Sequence, residues 1–138
     1  MKAIGVQIQG SEIILVVLQK HTDGSITQLN QSTKFGIADH TSNQQIRQFR
    51  DQITATLDSI NADFIGVIAR NASTSSRMKS SPVSFKLEGI IQLYPSREVE
   101  FVWPQSIVPF FKKNQLTISP KNKYQQDALE LAFMLLTK

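Results

Sequence analysis

At 138 residues without a cysteine, the chain can bury one core, and it excludes disulfide frameworks, thiolate zinc sites and cysteine nucleophiles. No purely apolar run exceeds six residues (Ile13 to Leu18), against roughly 20 for a membrane-spanning helix. The net charge of +4 is uneven: residues 1–69 carry five Lys/Arg and six Asp/Glu, residues 70–138 ten and five. Any anionic partner would therefore be met by the second half.

Gln7, Gln9 and Glu12 interrupt what would have to be the apolar part of a signal peptide, so a cytoplasmic protein is expected. Asn71-Ala72-Ser73 then reads as a chance match to a glycosylation sequon. Ala3 to Ile8 predicts a first strand with Ile4, Val6 and Ile8 on one face. After the turn Gln9-Gly10-Ser11, the unbroken apolar run Ile13–Leu18 predicts a strand buried on both faces, hence inside a sheet. His21-Thr22-Asp23-Gly24 is a turn, and a third strand, rich in Gln, Asn, Ser and Thr, is expected around Ile26 to Phe35 as an exposed edge. Thr41 and Ser42 can cap a helix in which Ile46, Phe49, Ile53, Leu57 and Ile60 form one apolar stripe.

Phe64 to Ile68 predicts a short central parallel strand, the fourth. Asn71 to Ser81 is small, polar and aperiodic, which predicts a mobile loop. Pro82 suits the first turn of a helix running through Leu87, Ile90, Ile91 and Tyr94. Glu98 to Val102 is the fifth strand, Pro104 opens a short helix, and Ser119-Pro120 is expected to cap a last helix through Leu129, Ala132, Phe133 and Leu136. A three-strand meander followed by strand–helix crossovers gives an α/β domain over 1–138: a five-stranded mixed sheet with helices on both faces. The first strand falls in the middle, between the second and fourth. Gln7 and Gln9 then share one face of a central strand, where buried amides need partners, and a polar pocket is expected beside them.

This order of elements resembles the ribonuclease H-like superfamily, above all its Holliday-junction resolvase (RuvC-type) branch. The residues carrying the resemblance are Ile4-Gly5-Val6-Gln7-Ile8-Gln9-Gly10-Ser11, Phe85-Lys86-Leu87-Glu88-Gly89 and Asp127-Ala128-Leu129-Glu130-Leu131-Ala132. The chain is also similar to a small bacterial family of single-domain proteins of uncharacterised activity. Active members of the superfamily hold two divalent metals with carboxylates from the first strand, the fourth strand and the last helix, for phosphodiester cleavage. The resemblance maps the first of these acids onto Gln7 (Ile8 or Gln9 in a slipped register) and the last onto Asp127, with Glu130 one turn further on. The fourth-strand acid has no counterpart, since Ala69 and Arg70 stand there. A neutral amide and an arginine do not replace carboxylates, because magnesium requires anionic oxygen ligands. The implied reading is a degenerate active site with Gln7, Gln9 and Asp127 as its remnant, no catalytic residues, no cofactor and no metal.

No other catalytic constellation appears. His21 and His40 sit in turns without acidic or histidine partners nearby, and phosphate-loop, dinucleotide, zincin and nucleophile-elbow motifs are missing. The strongest binding signal is basic: Arg70, Arg77, Lys79 and Lys86 around the end of the fourth strand, with Lys112 and Lys113 as an extension beside Lys121 and Lys123. Ligands of such sheets gather at the C-terminal ends of parallel strands, and Ser or Asn side chains can donate to phosphate. Phe101, Trp103, Phe110 and Phe111 could supply stacking platforms for bases but read mainly as core, with Trp103 the most exposed. Three functional readings follow. The first is a non-catalytic domain binding nucleic acid (DNA or RNA), or another phosphate-bearing ligand, through the basic loop. The second is a protein-interaction or homodimer scaffold. The third is a residual metal-dependent nuclease built on Asp127 and Glu88.

Overall fold

The computed structural model describes residues 1–70 and 81–138. Its elements are β1 (Lys2–Gln9), β2 (Glu12–Lys20), β3 (Ile26–Gln28), β4 (Thr33–Gly36), α1 (Asn43–Ile60), β5 (Phe64–Ile68), α2 (Pro82–Gln92), β6 (Val99–Val102), α3 (Pro104–Lys113) and α4 (Gln126–Thr137), with a 3-10 turn at Lys123–Gln125. The strands form one mixed sheet in the order β3-β2-β1-β5-β6, and β4 also pairs with β2. β1 lies between β2 (antiparallel) and β5 (parallel), as the sequence predicts.

The expected third strand is two strands, so the sheet has six rather than five. β3 pairs with Leu18–Lys20 and β4 with Glu12–Leu15, leaving Val16 and Val17 opposite the detour between them. Val17 still meets partners there: its N–H donates to Ser32 Oγ at 3.0 Å, and its carbonyl accepts from Leu29 N at 2.8 Å. A serine side chain thus splices the ladder where the backbone loops out. No alternation pattern in the sequence encodes that substitution of side chain for backbone.

Helices cover both faces. On one, α1 and α2 pack Phe49, Ile53, Leu57, Ile60, Leu87 and Ile91 against Ile4, Val6, Ile8, Ile13, Leu15 and Val17. Each large apolar side chain buried this way contributes about 1.5–3 kcal/mol. Ser42 caps α1, its hydroxyl accepting from Gln45 N at 3.2 Å, and Asn61 ends the helix in the left-handed region at φ 52°. On the other face α4 lies directly on the sheet. A Cβ added to Gly5 would sit 2.8 Å from Ala132 N and closer still to the Ala128 carbonyl oxygen, so only glycine allows this approach. The last helix is not capped by Ser119-Pro120. Asn122 precedes the 3-10 turn, and its N–H donates to Gln125 Oε1 at 3.1 Å. Gln125 also accepts from Gln28 Nε2 at 3.0 Å, which fastens the start of the C-terminal helix to β3.

Candidate nucleic-acid interface at the strand ends

The odd-numbered residues of β1 face α4: Ala3 packs in its cluster, Gly5 touches its backbone, and Gln7 comes next along the strand. Gln7 Nε2 donates to Asp127 Oδ2 at 2.9 Å, joining positions 120 residues apart at the end of β1 and the first turn of α4. Gln7 is half-buried, whereas Gln9 is exposed; the strand outruns the helix that covers it, so the expected pair of buried amides reduces to one. One turn on, Glu130 is half-buried, and burial, then the neighbouring Asp127 carboxylate, raises its pKa above the usual carboxylate value.

Arg70 leaves β5 beside this pair. Its Nη1 donates to the Ile8 carbonyl, and its backbone N–H donates to Glu88 Oε2 at 2.8 Å. The guanidinium is half-buried; desolvation lowers its pKa, and the Glu88 charge opposes that shift. Arg70 Nε is buried without a hydrogen-bond partner among the described residues. A partly desolvated cation with an unmet donor is a group that an anion would stabilise.

These residues do not fit a two-metal centre. Asp127 is engaged by the Gln7 amide, Glu88 by the Arg70 backbone, and the Arg70 side chain occupies the carbonyl end of β1. Among the described residues no group of three or more His, Cys, Asp or Glu is placed to hold an ion. Among the described residues, this arrangement supplies no ready donor set for metal-assisted hydrolysis.

The other residues expected at the site are more dispersed. Lys86 turns its ammonium to the start of α1, donating to His40 O and lying 3.0 Å from His40 Nδ1. Lys112 and Lys113 are exposed on the last turn of α3. Lys121 is held by Asn30 Oδ1 at 2.6 Å, against β3. Arg77 and Lys79 lie outside the described residues.

Lys34 and Tyr124 gain significance only from the fold. Lys34, Ile14 and Gln7 form one row across β4, β2 and β1, which places Lys34 on the face of the Gln7–Asp127 pair. Lys34 Nζ lies 4.6 Å from the centroid of the Tyr124 ring. Trp103 is 55% exposed. It follows Val102, whose carbonyl accepts from Ala69 N at 2.9 Å, so Trp103 leaves β6 beside Ala69, the residue before Arg70. The aromatics Phe110 and Phe111 instead pack on the core with Phe133. Nothing in the periodicity of residues 30–36 signals Lys34, because its place depends on strand pairing.

A central β1 flanked by β2 and β5, crossed on one face by α4, defines a ribonuclease H-like fold of the RuvC type. Two structures of RuvC from Thermus thermophilus, one titled as in complex with a Holliday junction substrate, superimpose with TM-scores of 0.71 and 12% and 11% identity. Each alignment covers 96% of this chain, and 90% and 91% of RuvC. The yeast mitochondrial Holliday junction resolvase Ydc2 is similar at TM-score 0.53 and 10% identity, over 80% of this chain and 56% of that one. The chain itself belongs to the family described as "Protein of unknown function (DUF3010)", whose profile matches residues 1–135. None of the curated proteins compared with it matches.

Proposed function

We propose that this protein is a non-catalytic ribonuclease H-like domain that binds nucleic acid, or another phosphate-bearing ligand, at the strand-end surface around Arg70. The carrying observation is Arg70 itself: a half-buried guanidinium with a buried, unpartnered Nε, placed at the C-terminal end of a parallel strand. Such ends are where ligands of this sheet type collect. Support also comes from the basic second half of the chain and from the Holliday-junction complex of the similar RuvC. Arg77 and Lys79, in the following segment, would extend the phosphate contacts.

Fluorescence anisotropy with single-stranded, duplex and four-way-junction DNA and with RNA, at two salt concentrations, tests this reading. Binding should weaken steeply with salt. The double variant Arg77→Ala/Lys79→Ala should lower the log–log salt slope by about 0.7–0.9 for each phosphate contact removed. Lack of binding to every probe at low salt would refute it.

A scaffold reading has a specific observation of its own. Phe85 and Gly89 on α2 and its C-cap Leu93 stand at i, i+4 and i+8, with Phe85 37% and Leu93 73% exposed and open space beyond Gly89. If this face joins two copies of the chain, sedimentation velocity will show a dimer that Leu93→Lys dissociates.

A further inference from the structure

We infer that Trp103 is a stacking platform for an unpaired base, so that the ligand of the strand-end surface is a single-stranded or locally unpaired nucleic acid rather than continuous duplex. This rests on the nucleic-acid reading above and names the form of strand it takes.

Single exposed apolar residues are common on protein surfaces and carry no meaning alone. Trp103 differs in how it is held. It precedes Pro104 and serves as the N-cap position of α3, with extended backbone angles of φ −77° and ψ 143°. Its carbonyl accepts from Ser106 N at 2.9 Å, and the preceding residue is tied to Ala69. The indole is thus presented from a backbone fixed on both sides, which reduces the ordering cost of binding. The β5–β6 register, carried one residue past Ile68 and Val102, sets Trp103 beside Ala69, next in sequence to Arg70, the group that would hold a phosphate; adjacent strands lie only about 4.8 Å apart.

The ring is also open. Tyr124, 44% exposed, has Lys34 over its face, and Phe110 and Phe111 pack edge to face on each other. Trp103 pairs with no described ring or cation. Bases within a duplex present their faces to neighbouring bases. A side-chain aromatic finds a free π-face only where a base is unstacked.

Because Trp103 is the only tryptophan, its fluorescence reports this contact directly. Labelled oligo(dT) and a blunt duplex of equal length are titrated into the full chain, and anisotropy and tryptophan emission are read together. The single strand should quench Trp103. Trp103→Ala should weaken single-strand binding roughly 5- to 150-fold, the range of one lost base stack. Trp103→Phe should recover most of that affinity, and duplex binding should change less than about twofold in either variant. Anisotropy showing a bound single strand without quenching, or single-strand affinity in Trp103→Ala within twofold of the native protein, overturns the stacking role and leaves the nucleic-acid reading standing. No anisotropy change with any strand overturns both. The quenching arm uses the native protein, so the test holds even if a variant folds poorly.

Discussion

Gln7→Glu is the sharpest probe of the strand-end geometry, because it keeps the shape of the side chain and replaces the donor of one hydrogen bond by an acceptor. The native amide donates to Asp127 Oδ2 over 2.9 Å. After substitution two carboxylate oxygens would face each other at that separation. At 2.9 Å, like charges repel by roughly 1.4 kcal/mol at the dielectric of water and about 6 kcal/mol at an effective value of 20. Gln7 is half-buried and Asp127 exposed, which favours the lower part of that range. Adding the lost hydrogen bond to a charged acceptor, about 1.5–3 kcal/mol before screening, the variant should be destabilised by about 2–4 kcal/mol at pH 7. The sign with pH follows. Repulsion raises the folded-state pKa of the new pair above its unfolded value, so the repulsive part is absent below about pH 4 and grows as pH rises. Urea denaturation of both proteins at pH 4 and pH 7 measures it. Added magnesium should stabilise the variant by relieving the repulsion and leave the native protein unchanged. Equal stability of the two proteins at both pH values would show that Gln7 and Asp127 do not meet in solution.

Two further predictions concern the packing that makes this contact. Gly5→Ala forces a methyl against the α4 backbone, 2.8 Å from Ala132 N, so the helix must move away. The cost should reach or exceed the ~3 kcal/mol upper end of ordinary overpacking, read as a midpoint shift on the order of 10 °C. A shift under 1 kcal/mol would mean that α4 floats over the sheet. Glu130 has its pKa raised by burial and then by Asp127, so its charged form costs stability once pH exceeds the unfolded carboxylate range near 4.3. Glu130→Gln should therefore melt higher than the native protein at pH 7 and at the same temperature near pH 3; a lower midpoint at pH 7 would contradict the assigned cause.

Much of the architecture was legible in local pattern. The stripe from Ile46 to Ile60 places α1, and four of its five members are buried. The run Ile13–Leu18 reads as an interior strand, and all six of its residues are buried. Pro82 opens α2 where the chain predicts it. These succeed because the period of burial is a property of neighbouring residues, 3.6 in a helix and two or none in a strand.

Other features depend on positions far apart in the chain, and only the tertiary structure decided them. The third strand divides because Ser32 can take over the hydrogen bond of Val17, an exchange with no periodic signature. Lys86 turns to His40, 46 residues earlier, although its place in the sequence groups it with Arg70. The bond between Gln7 and Asp127 exists because Gly5 lets α4 settle directly on β1. Sequence determined which chemical groups this protein owns and which elements carry them. Which of those groups share a surface, and which already satisfy one another, was set by strand register and by the closeness of helix to sheet. Both arise from packing between segments that no local window contains.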